Sequence, residues 1–338
     1  MRVRKTFLAS LALVALGSGA LAGAAPALPS PKDGLTVLVV GVDSRAGLSA
    51  DELQRFKAGG KGCDCTDVMM LVHVSAADDR VSVVSLPRDS LTAFPDEHVD
   101  RRTGKTHAPH AAKINAAHSE GGAAFTIEAV ERMTGTPVHR YLELDFRRFV
   151  DTVDRVDGGV PICTTEPLKD PVTGIDLAPG TKRVEGGEAL QYVRSRRDGK
   201  MDFGRMRKQQ RFVANMWRTI RGDLFADPTG LWRLASTLRG TAPVERSLSV
   251  TEMLLLVARL RDLDPAATEF ATVPVSHFNP TVGGVGSTVG WDEEHAAEVF
   301  EALRSDRPLP PARPVPTSAI PLGLGEYRPV GGASLVCP

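Results

Sequence analysis

The sequence predicts a layered α/β (α+β) domain placed behind an export segment. Three observations carry this. Short, β-branched apolar runs begin at residue 35. Helical-period segments are interleaved with them rather than gathered at one end, which is the pattern of a sheet covered by helices. A basic, then apolar, N-terminus is cut off from the rest by prolines. At 338 residues the chain is long enough for one large domain or two small ones. Hydrophobic residues make up 42% and charged residues 24%, which excludes a disordered chain, a coiled-coil rod and a multi-span membrane protein. Lys plus Arg equals Asp plus Glu, 41 each, and aromatics are only 5%. Neither a global positive field nor a stacking surface is present, so nucleic acid is not an expected partner.

Taken in order, Arg2, Arg4 and Lys5 precede a stretch without charge from Thr6 to Pro31. Residues 1–31 therefore read as a signal peptide, with Ala22-Gly23-Ala24 as a small-residue cleavage site, or as a single N-terminal membrane anchor. Gly17, Gly19 and Gly23 and the prolines after Ala25 argue against a buried core helix. Either alternative places the protein outside the cytoplasm, anchored at the membrane or secreted to the wall.

Leu35–Val42 reads as a buried strand ending in Gly-Val-Asp, and Asp67–Val74 and Val81–Leu86 as the next two, with a short polar turn between them. Ala123–Met133 follows Gly121-Gly122 at helical period and closes at Gly135. Val138–Leu144 alternates as a strand, Phe146–Val156 is an amphipathic helix, and a short strand runs through Cys163. Gly186–Val193 and Arg205–Ile220 read as helices. Leu231–Leu238 and Val250–Leu263 continue as helices, Phe270–Pro274 as a strand, and Glu293–Leu303 as the last helix. The domain order is thus 32–222 for the main domain, 223–306 for a helical part packed on it, and 307–338 for a Pro/Gly-rich tail.

Four cysteines, Cys63, Cys65, Cys163 and Cys337, suit an oxidising exterior and disulfides. The Cys-x-Cys spacing does not match a zinc site. A bridge between Cys63 and Cys65 would strain the bond geometry, so each is expected to reach one of the distant pair, with Cys163 bridged to Cys63 or Cys65. Cys337 would tie the tail back to the body.

Charged groups gather at four places. Asp43 and Arg45 follow the first strand, Asp67 opens the second, and Arg88 and Asp89 follow the third. Strand ends are where α/β sheets collect ligands. The fourth place comprises residues 192–197 and 202–211, where nine of sixteen side chains are basic or amide groups. A merely solvated helix face mixes acids with bases, whereas between Tyr192 and Arg211 only Asp198 and Asp202 are acidic. Repeated arginine in a chain of zero net charge points to a polyanionic ligand, since guanidinium forks match phosphate oxygens. Asp43 and Asp67 are suited to a hard cation, Mg²⁺ or Mn²⁺. Arginines, carboxylates and such a cation together form a site for phosphoryl transfer at a pyrophosphate.

The same residues resemble the LytR-CpsA-Psr (LCP) family of cell-wall assembly phosphotransferases, in a high-GC Gram-positive variant. The blocks are VVGVDSR (39–45), TDVMMLVHV (66–74), VSVVSLPRDS (81–90), KINAAHSEGG (113–122), LDFRRFVDTVDRVDGGV (144–160), KDPVTGIDLAPGTKRVEGGEALQYVRSR (169–196) and DFGRMRKQQ (202–210). The resemblance implies a mixed central β-sheet sandwiched by helices, with an apolar pocket for a polyprenyl lipid. It implies transfer of a glycopolymer from a polyprenyl-pyrophosphate carrier at the membrane surface onto a peptidoglycan acceptor. By position, Asp43 and Asp67 match the metal aspartates, and Arg88, Arg194, Arg196 and Arg205 the pyrophosphate-binding and catalytic arginines. Arg45, Lys113, Arg207, Lys208 and Gln210 are expected to bind substrate. Lys208 stands where the family pattern usually has Arg, with Arg207 beside it as a substitute. The resemblance also pairs the Cys63-Asp64-Cys65 insert with Cys163.

His98, His107, His110 and His118 fall within 21 residues. Pro95, Gly104, Pro109 and many charges in 91–112 favour a mobile surface loop, a lid over the acceptor, above a metal cluster. No P-loop or Gly-x-Ser-x-Gly motif is present. Two other functions fit the same residues: a polyprenyl-pyrophosphate pyrophosphatase, and a non-catalytic polyprenyl-phosphate-binding regulator of wall assembly.

Overall fold

The computed structural model describes residues 31–60, 62–197, 201–224, 227–238, 244–312 and 327–338. Residues 1–31, expected to be a signal peptide or membrane anchor, lie outside them except for the last. Among the described residues no helix is long and apolar enough to cross a membrane.

Six strands form the central sheet: β1 (Leu35–Val42), β2 (Thr66–Val74), β3 (Val81–Ser85), β4 (Arg140–Leu144), β5 (Thr268–Thr272) and β6 (Val330–Gly331), in the order β6-β5-β3-β2-β1-β4. The sheet is mixed. β2 is antiparallel to both β1 and β3, β4 runs parallel to β1 and β5 parallel to β3. The C-terminal ends of β1, β3, β4 and β5 and the start of β2 therefore meet at one edge. That edge is where the charged residues following the strands collect.

The principal helices are α1 (Ala50–Arg55), α2 (Ala116–Thr134), α3 (Phe146–Asp154), α4 (Gly186–Arg194), α5 (Met201–Thr219), α6 (Pro228–Thr237), α7 (Val250–Arg259) and α8 (Glu293–Arg304). They cover both faces of the sheet. Leu38, Val40 and Val42 alternate onto one face and pack with Ile127 and Val130 of α2 and Val299, Phe300 and Leu303 of α8. Leu35 and Val37 alternate onto the other, with Met70, Val83 and Ala214 of α5. α2 begins before the predicted Ala123: Gly122, at φ 76° and ψ −161°, joins two helical pieces across a kink. Gly135 caps it in the left-handed region, as its position at the end of the periodic run predicts.

Three expectations are corrected. The disulfides are Cys63–Cys65 and Cys163–Cys337, not Cys163 with the Cys-x-Cys pair. Asp64 sits at φ 50°, and this left-handed residue folds the chain so that its two flanking Cα atoms are 5.0 Å apart, within ordinary bridging range. The tail ends in structure: Val330–Gly331 pairs with β5, and Asn215 of α5 accepts from Cys337 N at 2.8 Å and donates to the Leu335 carbonyl at 3.1 Å. Residues 91–112, read as a mobile loop, fold with Lys113 into two ribbons. Leu91–Phe94 pairs with His110–Lys113 and His98–Val99 with Thr106–His107, and the fully buried Phe94 anchors them beneath α2.

Candidate active site

The site is built from the sheet edge outward. Gly41 faces Val68 and Val42 faces Thr66, which leaves Asp67 as the extra residue of a β-bulge. A bulge re-aims the side chain it carries, and here it turns the Asp67 carboxylate out of the ladder toward Arg88 at the end of β3. Asp67 Oδ1 accepts from Arg88 Nη1. Its Oδ2 lies 3.9 Å from Arg205 Nη1, beyond hydrogen-bond reach, and Arg205 Nη2 donates to the Asp67 carbonyl at 3.3 Å. Just past the end of β1, Asp43 is gripped by both Nε and Nη2 of Arg45, at 3.0 and 3.3 Å.

α4 and α5 supply the other side. Arg194, the last residue of α4, donates to the carbonyls of Phe56 and Lys57 at 3.2 Å each and lies over the Phe146 ring at 5.0 Å. Asp202, in the first turn of α5, places Oδ1 2.8 Å from Arg205 Nη2, 3.5 Å from Arg196 Nε and 4.0 Å from Arg88 Nε. Three guanidinium groups drawn from a strand end, an interhelical turn and a helix thus converge on one carboxylate oxygen. Asp89 completes the rim, 3.7 Å from Arg88 Nε and 3.0 Å from Lys113 Nζ.

Burial and charge oppose each other here. Burial works to raise the Asp67 carboxyl, but Arg205 and Arg88 outweigh it and hold the group below the ordinary aspartate value. Burial pulls the Arg205 guanidinium down to about 10 against the support of Asp202 and Asp67, which still leaves it cationic at neutral pH. The Arg88 guanidinium is raised: Asp67, Asp202 and Asp89 overcome its burial. The Nε–H groups of Arg88 and Arg205 are buried yet reach no hydrogen-bond acceptor. Buried donors are normally satisfied, and two orphaned guanidinium donors at one spot mark a place for an oxyanion.

Behind this rim the interior is apolar. A cavity of about 370 Å³ opens between the sheet and α3–α5, with Asp67, Arg194 and Arg205 at its polar end and Leu142, Phe149, Phe212, Met216 and Trp217 among its walls. An anionic head at the sheet edge with a hydrocarbon chain behind it is the ligand shape this space fits.

Asp43, Arg45, Asp67, Arg88, Arg194, Arg196 and Arg205 are thus gathered at one edge, and Lys113 joins through Asp89. Three of the expected substrate-binding residues lie elsewhere. Arg207 is exposed, and Lys208 is buried with Nζ donating to the Ser195 carbonyl at 3.2 Å. Arg207 is therefore no substitute for Lys208, because neighbouring helix positions face different ways. Gln210 is buried and donates to Ser85 Oγ and the Ala271 carbonyl, at 2.9 Å each. It fastens α5 to the ends of β3 and β5. Sequence reasoning missed the central role of Asp202, although its three-residue spacing from Arg205 in a helix carried the signal.

Comparison with known proteins agrees with this geometry. A family model described as the LytR_cpsA_psr family matches residues 20–305. The chain belongs to the LytR-CpsA-Psr family. It is 31% identical over 273 residues to the probable cell wall biosynthesis protein LcpB of Corynebacterium glutamicum, covering 80% of this chain and 61% of that protein. This LCP chain thus spans about three fifths of that relative's length. It is 28% identical over 244 residues to the polyisoprenyl-teichoic acid–peptidoglycan teichoic acid transferase TagU of Halalkalibacterium halodurans, covering 66% of this chain and 71% of TagU. The crystal structure of protein gbs0355 from Streptococcus agalactiae shares the fold of this chain, with a TM-score of 0.62 at 21% identity over 86% of this chain and 93% of that one.

Proposed function

We propose that this LCP protein is a phosphotransferase that moves a glycopolymer from a polyprenyl-pyrophosphate carrier onto peptidoglycan, outside the cytoplasm. The observation that carries this is the arginine cluster, with its orphaned Nε donors, at the polar end of an apolar cavity. A soluble nucleotide would use the rim and leave the cavity unexplained; a simple lipid would not need three guanidinium groups. A prenyl pyrophosphate uses both. The name of the TagU relative describes the same class of transfer, and the two disulfides suit an oxidising compartment.

In the transfer, an acceptor hydroxyl oxygen bonds to the phosphorus that carries the glycan. The phosphoanhydride P–O bond breaks, and its electron pair leaves on polyprenyl phosphate. The hydroxyl proton passes to a base, for which Asp89, beside Arg88 and held by Lys113, is the candidate. Arg88, Arg196 and Arg205 stand where charge on the equatorial and leaving oxygens develops, and fixed donors favour that state over the ground state. Arg194, locked by two carbonyls and a ring face, borders the head-group end of the cavity.

Asp43 and Asp67 suit Mg²⁺ or Mn²⁺. Both carry hard carboxylate oxygens on adjacent strand ends; those of Asp43 accept from Arg45, which an ion would have to displace, whereas Asp67 is kept ionised and its Oδ2 lies beyond hydrogen-bond reach of Arg205. When bound, such an ion neutralises pyrophosphate charge.

The test is an incubation of the purified protein with a polyprenyl-pyrophosphate-linked glycan, a peptidoglycan fragment and Mg²⁺, read by mass spectrometry. Phosphodiester-linked glycan on the fragment together with free polyprenyl phosphate supports the transferase. Polyprenyl phosphate with unattached glycan phosphate, despite the acceptor, would make the protein a pyrophosphatase. Binding without any product would make it a regulator. Asp43→Asn and Asp67→Asn should lower turnover and weaken the Mg²⁺ dependence. Full activity of both variants with the metal chelated would remove the two-aspartate site.

A further inference from the structure

Away from the sheet edge, three of the four clustered histidines meet on one carboxylate. His98 Nε2 lies 2.9 Å, His110 Nε2 3.2 Å and His107 Nδ1 3.5 Å from Glu120 Oε2. The ligating atoms of His98, His107 and Glu120 all fall within 4.8 Å of one another. His118 takes no part; it contacts the Asp64 carbonyl and Glu143.

We propose that His98, His107 and Glu120, with His110 beside them on the same carboxylate oxygen, form a binding site for one transition-metal ion of the zinc class. The tautomers argue for it. His98 Nδ1 faces the Asp96 carbonyl at 3.1 Å and His110 Nδ1 the Ala108 carbonyl at 2.9 Å. A carbonyl only accepts, so both Nδ1 atoms carry hydrogen. With the rings neutral, each Nε2 then turns its lone pair toward the Glu120 oxygen, the side on which a metal ion would be held. Ring N–H groups donated to backbone carbonyls are also the usual outer shell of metal-bound histidine. His107 Nε2 lies 3.9 Å from Asp100, beyond hydrogen-bond reach, and Asp100 is itself held by the N–H groups of Arg102 and Thr103 at 2.8 Å each.

Spacing and ligand type agree. Ligand atoms about 3.3 Å apart are what tetrahedral bonds of about 2.0–2.1 Å produce, and the separations from Glu120 bracket that value. Three imidazoles and one carboxylate suit Zn²⁺ better than Mg²⁺ or Ca²⁺, which prefer oxygen. Phe94 and Phe125 form an apolar wall, with ring centroids 5.4 Å from His110 and 4.7 Å from His98 respectively. The ion would join both ribbons to α2. It would thereby stiffen the strand His110–Lys113, whose last residue pairs with Asp89 at the rim of the arginine cluster. This inference does not depend on the transferase reading.

The experiment uses the purified protein stripped with a chelator and then titrated with Zn²⁺ by calorimetry and against a chromogenic chelator, with Co²⁺ as a spectroscopic probe. One equivalent of Zn²⁺, a tetrahedral Co²⁺ absorption spectrum and a Tm raised by the metal are expected. His107→Asn and Glu120→Gln, at partly exposed positions, should each weaken Zn²⁺ by about 100-fold or more, on the upper scale of lost shell contacts. Asp43→Asn/Asp67→Asn should bind Zn²⁺ as the parent does. Absence of Zn²⁺ binding tighter than millimolar in the folded protein would overturn the proposal, as would undiminished binding in both ligand variants. So would loss of the binding in Asp43→Asn/Asp67→Asn.

Discussion

Asp202 Oδ1 stands 2.8 Å from Nη2 of Arg205, one helical turn along α5, and the Arg205 side chain is 4% exposed. This pair sets the electrostatics of the whole rim. A buried guanidinium is costly unless a carboxylate faces it, and the same carboxylate oxygen also faces Arg196 and Arg88. Asp202 thus holds three cations together while no ligand is present. Asp67 does the same for Arg88 from the opposite side.

Replacing Asp202 by Asn should therefore separate stability from ligand binding. The isosteric amide removes the counter-charge and should cost about 2 kcal/mol in urea unfolding, less than for a fully buried pair because Asp202 keeps some exposure. Added inorganic pyrophosphate should raise the Tm of the variant by more than it raises that of the parent, since it supplies the missing negative charge. Equal shifts in the two proteins would mean that the anion binds elsewhere.

Arg88→Ala should reduce transfer by roughly 100-fold or more, the scale of losing one preorganised donor at a developing charge. Arg88→Lys should recover only part, because the charge returns without the fork that spans Asp67 and the substrate oxygens. Single-turnover rates on the lipid-linked substrate distinguish this from a loss of binding. Similar rates for Arg88→Lys and the parent would show that charge alone suffices.

The part of the stability that rests on His73 and His139 should fall as the pH drops below the ordinary histidine value of 6.5. Burial holds the His73 imidazole below that value despite Asp306, and burial, His73 and Arg140 lower His139. His139 Nδ1 must stay unprotonated to accept from Thr36 N at 3.0 Å. The unfolded chain thus takes up protons that the folded one refuses, so ΔG of unfolding rises with pH up to about 6.5 and flattens above it. Urea titrations at pH 5.5 and 7.5 should show the drop, and His139→Gln should reduce it. An unchanged slope in the variant would assign the effect to other groups.

The two disulfides should differ sharply in weight. Cys163 and Cys337 are 174 residues apart in sequence, and closing so long a loop is worth about 4–5 kcal/mol in the chain-entropy picture. Cys63–Cys65 encloses a single residue and should contribute roughly 1–2 kcal/mol. Thermal melts of Cys337→Ser and Cys63→Ser/Cys65→Ser should show the first far less stable than the second, and the reverse order would refute the assigned pairing.

Much of the site was legible before any coordinates. Asp43, Asp67 and Arg88 follow or open apolar runs with unmistakable β patterning, so their place at strand ends followed from local sequence. The excess of basic groups over acids between residues 192 and 211 exposed Arg194, Arg196 and Arg205 in the same way. Arg207, Lys208 and Gln210 were misjudged because composition does not record which way a helix is rotated. Lys208 and Gln210 instead hold the turn and the helix in place.

What the sequence determined by itself is what depends on near neighbours: strand and helix order, the cap at Gly135, and family membership carried by ordered blocks. The tertiary structure decided whatever joins distant segments. Cys163 meets Cys337 because Asn215 and β5 seat the C-terminal strand. Asp202 becomes the centre of the rim because the parallel and antiparallel pairing of β1 to β5 brings four strand ends to one edge beneath α5. Glu120 collects three histidines because two ribbons fold against the first turns of α2. The physical reason is common to all three. Local propensity specifies an element's type within a few residues, whereas long-range pairing is chosen by which apolar faces can be buried together, and a single stretch of sequence holds only half of that information.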